Sequence, residues 1–156
     1  MLKLSADPVG SPSKKHVYKA CSGSNLSPYV SWSTPPKGTK SLALVLHDSD
    51  APVPGGWIHW IIYNIPPTVL EIKGQKAGEE IKIPDGAVVA KNSFGEIGYG
   101  GPCPPPGKLH HYNLHLFALP SLLPKSDAYD QQPNSLFQTI QNAAIATSKV
   151  TSTYQR

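Results

Sequence analysis

Hydrophobic positions along this chain fall in short blocks separated by turn residues. Between Ser41 and Pro67 an apolar run, Ser-Leu-Ala-Leu-Val-Leu-His, passes through Asp-Ser-Asp-Ala-Pro-Val-Pro-Gly-Gly into a second run, Trp-Ile-His-Trp-Ile-Ile-Tyr-Asn-Ile-Pro-Pro. Runs this short, rich in Leu, Val, Ile, Trp and Tyr, predict buried strands rather than helices. Upstream, His16 to Ala20 predicts a short edge strand, and Ser27-Pro28 opens another that ends near Trp32. Downstream, residues 79–84 alternate weakly, Asp85-Gly86 marks a turn, and Ala87 to Ala90 predicts a further strand. His110 to Leu119 alternates more clearly. His110, Tyr112, Leu114, Leu116 and Ala118 share one face, while His111, His115 and Phe117 share the other. His111 and His115 are expected at the surface. From Asn134 to Ala146 the period changes: Leu136, Phe137, Ile140, Ala143 and Ala144 recur at three- and four-residue spacing, which predicts a helix capped by Asn134. Lys149 to Gln155 is β-branched and predicts a last strand.

Composition narrows the picture. A chain of 156 residues suits one domain, residues 1–156, around a single core. The 17 Pro and 13 Gly favour many turns over long helices; Pro8 and Pro12 interrupt the polar first twenty residues. The net charge is +4, but the lysines are scattered. No basic cluster with interleaved aromatics indicates a nucleic-acid surface. No apolar run is long enough for a transmembrane helix, and the first residues lack the apolar core of a signal peptide, so a cytoplasmic location is expected. Cys21 and Cys103 are too few for a disulfide framework or a zinc finger. They are compatible with two buried thiols or with one bridge closing a long loop.

Three distant segments carry reactive side chains. Asp48, Asp50 and His59 come from the central stretch. Gly98, Gly100 and Gly101 lie in the Gly- and Pro-rich segment from Asn92 to Gly107. His110 and Tyr112 open the alternating strand. Brought together, they make a small cavity suited to a phosphate or carboxylate, held by imidazole and backbone N–H donors. The carboxylates are then expected to orient the imidazoles and raise their pKa. Each residue also has a structural reading: a turn-capping Asp, a hydrogen-bonded core His59 between Trp57 and Trp60, a core Tyr99 or Tyr112. A nucleophile is not indicated, since Cys103 sits between prolines and no Gly-x-Ser-x-Gly elbow is present. Asp48, His59 and His110 are chemically able to bind a metal, but no ligand spacing supports one, and no cofactor is expected.

The ordered set of motifs resembles the phosphatidylethanolamine-binding protein (PEBP) family, which includes Raf kinase inhibitor protein and bacterial and archaeal relatives. The resemblance is carried by Cys21-Ser-Gly-Ser-Asn-Leu-Ser-Pro28 with Trp32, Asp48-Ser-Asp-Ala-Pro52 followed by His59-Trp60, Asn92-Ser-Phe-Gly95, Gly98-Tyr-Gly-Gly-Pro-Cys-Pro-Pro105, His110-His-Tyr112 and Ser152-Thr-Tyr154. It implies a mostly β fold, with a large central antiparallel sheet, a smaller second sheet and one or two short helices. It also implies a shallow pocket for phosphate-like or phospholipid head-group anions, lined by Asp48, Asp50, His59, Gly98, Pro102, His110, Tyr112 and Tyr154. Departures are Ser49 in place of a proline, His111 in place of an arginine, and Asn142-Ala143 in place of Gly-His. The function implied is non-enzymatic: an anion-binding protein that inhibits a serine protease or regulates a kinase pathway. Two alternatives stand beside it. One is an enzyme acting on a small phosphorylated or acyl substrate, with His59 or His110 as acid or base. The other is a lipid head-group carrier, which requires an apolar groove that the sequence does not reveal.

Overall fold

The computed structural model describes residues 1–10 and 14–156; Pro12 lies outside the described residues. In chain order the elements are β1 (Leu4–Ala6), β2 (Val30–Trp32), β3 (Ser41–Asp48), β4 (Trp57–Ile65), β5 (Glu71–Ile72), β6 (Val88–Val89), β7 (His110–Leu119), α1 (Asp127–Asp130), α2 (Pro133–Ala143) and β8 (Ala146–Tyr154). Among the described residues the strands form two antiparallel sheets. The larger has the order β6-β4-β3-β7-β8, the smaller β1-β2-β5. No helix of the described residues is long and apolar enough to cross a membrane.

The two apolar runs are the middle of the large sheet. They lack strict alternation because both faces of the sheet are covered. One face buries Leu42, Leu44, Leu46, Trp60, Ile62 and Leu116 against Val30, Trp32 and Ile72 of the small sheet. The other buries Val45, Ile58, Ile61, Tyr63 and Phe117 against Leu136, Phe137 and Ile140 of α2. Each such side chain contributes about 1.5–3 kcal/mol by leaving water. β8 lies at the sheet's edge, and there alternation of half-buried and exposed positions returns along its whole length.

Several expectations are corrected. His16 to Ala20 is not a strand. Lys14–His16 and Lys19–Cys21 are tight turns, because Ser22 and Asn25 take positive φ and reverse the chain. The backbone hydrogen bonds there go to local carbonyls and, from Tyr18 N–H, to Pro102 O. Residues 79–84 find no ladder partner and stay irregular. The helix starts one residue before Asn134: Gln132 is the cap and Pro133 the first helical residue, where its fixed φ is favourable. Asn134 instead reaches Pro54 O, at 3.4 Å. His115 is half-buried rather than exposed, packed on Phe117 and Phe137.

Candidate functional site

The carboxyl end of β3 and the start of β7 lie side by side, with Asp48 opposite Tyr112 in register. Asp48 continues the face of Leu42, Leu44 and Leu46, and His110 and Tyr112 continue the face of Leu114 and Leu116. His59 reaches the same face by a different route. Leu46 pairs with Trp60 but His47 pairs with Ile58, so β4 carries one extra residue at this point. Such a bulge shifts the alternation by one. Trp60 and Ile62 face the small sheet and Ile61 faces α2, so regular pleating would turn His59 toward α2. The bulge turns it toward Tyr112, with ring centroids 5.3 Å apart.

Asp48, His59, His110 and Tyr112 line one cavity of about 230 Å³. The side chains of Asp48 and His110 are only 4% and 3% exposed, and Asp48 Oδ2 lies 2.6 Å from His110 Nδ1. The carboxylate accepts, so Nδ1–H donates and His110 is held in one orientation. Asp48 Oδ1 accepts from the Asp50 backbone N–H at 2.8 Å, tying the acid to the start of the loop. His59 Nδ1 lies 2.6 Å from Gly100 O. A carbonyl only accepts, so Nδ1 carries the hydrogen. The Tyr112 hydroxyl is buried with no partner among the described residues.

The expectation that the carboxylates raise both imidazoles fails for His59. Burial is the largest influence and pushes its pKa down to about 4, against the opposing pull of the Gly100 carbonyl and the Asp48 charge. His59 is therefore neutral at pH 7, and its Nε2 is a hydrogen-bond acceptor. Burial likewise holds the Tyr112 phenol far above its usual range, with Asp48 adding to the shift, so the hydroxyl stays a donor. None of the described lining residues is Lys or Arg. With Asp48 ionised, the cavity is neutral when His110 carries its second proton and singly negative when it does not. Among the described residues no group of three His, Cys, Asp or Glu side chains is placed to hold a metal ion.

The other four residues expected at the site are not among its described lining. Asp50 turns outward and accepts from both the backbone N–H and the Nδ1–H of His111, at 2.8 Å each. These bonds hold its carboxyl below the usual range. Tyr154 pairs with His110 across the β7–β8 ladder. Pro102 supplies its carbonyl to Tyr18 N–H. Gly98 donates to Ala90 O, Gly100 to His59 O and Gly101 to Asn25 Oδ1. The expected concavity of free glycine amides is thus absent at these three positions. Gly100 is needed because a Cβ there would lie 2.6 Å from the Phe94 ring, and Gly101 because a Cβ would strike the backbone of His16 and Tyr18.

Sequence reading missed that most of the wall is apolar. Ala51, Pro52, Val53 and Trp57 form one side; Phe94, Pro104 and Pro105 form another. Cys103 completes it and is bridged to Cys21, with Cα atoms 5.6 Å apart. The apolar surface that the sequence did not reveal thus lies in the wall of this same cavity. Its signal was the density of Pro and aromatics in the two loops, which two strands at the same sheet end bring together.

A model of the phosphatidylethanolamine-binding protein family matches residues 11–155. The UPF0098 protein YbcL of Escherichia coli is 41% identical over 147 residues, 90% of this chain and 78% of that protein. A UPF0098 protein of Methanothermobacter thermautotrophicus is 38% identical over 138 residues, 87% of each chain. Among solved structures, the crystal structure of E. coli YbcL, described as a new member of the mammalian PEBP family, has a TM-score of 0.88 at 34% identity, covering 99% of this chain and 98% of that one. A putative PEBP homolog, CT736 of Chlamydia trachomatis, has a TM-score of 0.77 at 34% identity, covering 99% and 97%.

Proposed function

The chain belongs to the phosphatidylethanolamine-binding protein family, and on that footing we propose that it is a non-enzymatic binding protein whose cavity takes a phosphate ester bearing a single negative charge. The observation that carries this reading is the Tyr112 hydroxyl, a buried donor without a partner among the described residues, beside the Asp48–His110 pair. A phosphate oxygen satisfies that donor, and a second oxygen accepts from His110 Nε2–H when His110 is protonated. His59 Nε2 accepts a hydrogen, which a singly ionised phosphate monoester provides through P–OH and an aminoalkyl head group provides through its ammonium. The apolar wall, from Pro52 and Trp57 to Pro104 and Pro105, favours a ligand whose carbon skeleton continues beyond the phosphate. The inhibitory role toward a serine protease or within a kinase pathway rests on the resemblance alone. The Cys21–Cys103 bridge favours an oxidising compartment over the cytoplasm expected from the sequence.

Phosphorylethanolamine is the first probe, followed by calorimetry and by phosphorus NMR. Saturable binding without release of inorganic phosphate is expected, tighter near pH 6 than near pH 8, because the ester's second ionisation falls at about pH 6. A short-chain phosphatidylethanolamine is expected to bind more tightly still. Tyr112→Phe is expected to weaken binding about tenfold while raising the melting temperature of the free protein, since it deletes an unsatisfied hydroxyl worth roughly 1 kcal/mol or more. Steady release of phosphate, lost in His59→Ala, would replace this reading with the enzymatic one. Unchanged affinity in Tyr112→Phe would remove its main support.

A further inference from the structure

A second cavity, of about 280 Å³, adjoins the first. Val53 and Trp57 line both, so these two side chains form the partition between them. The chemistry of the two is different. The second is bounded by the loop after β3, the residues following β6 and the first turn of α2, and its described lining contains Lys91 and no acid. Among the described residues no carboxylate lies within ion-pair distance of the Lys91 ammonium.

Most other polar groups of this cavity are already occupied. Asn92 uses both ends of its amide on the backbone of its own loop: Nδ2 donates to Gly98 O, and Oδ1 accepts from Phe94 and Glu96 N–H. Ser93 Oγ accepts from Ile58 N–H at 2.8 Å. These bonds make the floor rigid and leave it little capacity for a ligand. The donors left include the Lys91 ammonium, the side-chain amide of Gln132 and the indole Nε1–H of Trp57, which is buried and has no partner among the described residues. A buried N–H left without an acceptor is uncommon and costly, and this one sits in the shared partition.

We infer that the two cavities form one elongated site, whose second half takes a carboxylate carried on the same ligand as the phosphate. A carboxylate matches the donor set: its single charge balances one ammonium, and its second oxygen serves the indole N–H. The second cavity offers an ammonium and no acid in its described lining, and the first offers the Tyr112 hydroxyl and His110, so a ligand with a phosphate at one end and a carboxylate at the other reads both. The inference rests on the phosphate reading of the first cavity and extends it to a phosphorylated acid as the ligand class.

The test is a series of phosphonocarboxylates of increasing chain length, each compared with the alkylphosphonate of equal length and with inorganic phosphate. At one length the carboxylate is expected to raise affinity about tenfold over its methyl-ended counterpart. Lys91→Met is expected to abolish that gain and leave inorganic phosphate binding unchanged. The indole N–H resonance of Trp57, assigned by its loss in Trp57→Phe, is expected to shift with the carboxylates beyond any shift caused by phosphate. No gain at any length overturns the inference, and so does an equal gain in Lys91→Met. If inorganic phosphate does not bind at all, the first-cavity reading fails on its own. The second is then judged with propionate: a Lys91-dependent shift of the Trp57 resonance keeps the carboxylate half-site, and its absence overturns that as well.

Discussion

β7 carries two adjacent histidines; one is paired with the aspartate that ends β3, the other with an aspartate in the turn that follows. Asp48 and His110 meet at 2.6 Å with side chains 4% and 3% exposed. Asp50 and His111 meet at 2.8 Å with side chains 26% and 50% exposed. The chemistry is the same in both pairs, and strand parity alone separates them. His110 follows the inward face with Tyr112 and Leu114, while His111 follows the outward one. The inner pair stands in an apolar-walled cavity, where water screens it less than at the surface. The outer pair clamps the loop to β7 through a backbone and a side-chain bond. A shared pattern of acid and imidazole therefore says little about role until burial is known.

Breaking the inner pair is expected to have the largest effect. Asp48→Ala leaves His110 buried without its partner and strands the Asp50 backbone N–H. Removal of one member of a buried pair costs about 3–5 kcal/mol, read as a fall in urea midpoint at unchanged slope. If Asp48→Ala costs no more than Asp50→Ala, burial is not what distinguishes the pairs.

Second is the bridge that holds the inner pair's surroundings. Cys103 forms part of the cavity wall, and Cys21 ties it to the turns at residues 14–21. Replacing both cysteines with alanine is expected to cost about 2–5 kcal/mol and to weaken phosphorylethanolamine binding. The outer pair lies apart from that wall. The depressed carboxyl titration of Asp50, followed by carbon NMR, should survive the double substitution unchanged.

The strand carrying both histidines was legible because β7 alternates from His110 to Leu116, and the expected limits, His110 to Leu119, are those observed. The motif around Asp48 likewise announced a loop at a strand end. The bulge before Trp60 was not legible, since one extra residue among Trp, Ile, His and Trp leaves no mark on a run buried on both sides. The glycines misled for a related reason. Gly100 and Gly101 signal close approach, and the sequence does not say whether a ligand or the chain itself approaches; here it is Phe94 and the backbone of His16 and Tyr18. Lys91 and α2 reach their cavity only through tertiary packing, which no local spacing encodes.

Acid separates the two environments by the pH at which each responds. His59 has its folded pKa lowered to about 4, below the roughly 6.5 of an exposed imidazole. Between those values the unfolded chain binds a proton that the folded chain refuses. Stability is therefore full above about pH 6.5 and falls as the pH drops toward 4, by an amount on the order of 3 kcal/mol. His115 is also lowered to about 4, by burial first and then by His47 and Lys149, and adds to the same loss. His59→Asn and His115→Leu should each flatten the stability profile between pH 4 and 6.5 in thermal melts. A profile that stays steep in both would place the acid response elsewhere.

The smallest effect is expected at the outer pair, and it runs in a different pH window. Asp50 has its folded pKa lowered by the His111 side-chain and backbone bonds. Its contribution is present above the unfolded carboxyl value of about 3.9 and disappears as the pH falls through the lower folded value. Neutral-to-mild acid, which already strains the buried imidazoles, leaves this pair intact. Because both side chains are partly exposed and screened, Asp50→Ala is expected to cost about 1 kcal/mol or less at pH 7. Once the pH has fallen through that lowered folded value, the variant and the parent protein should converge in stability, since protonation then removes in the parent what the substitution removed in the variant. Salt gives an independent reading: raising it should shrink the difference between the two proteins at pH 7, while the penalty of Asp48→Ala, shielded from solvent, should hardly change. Equal sensitivity to salt at both positions would mean that water reaches the inner pair, and the cavity's electrostatic argument would go with it.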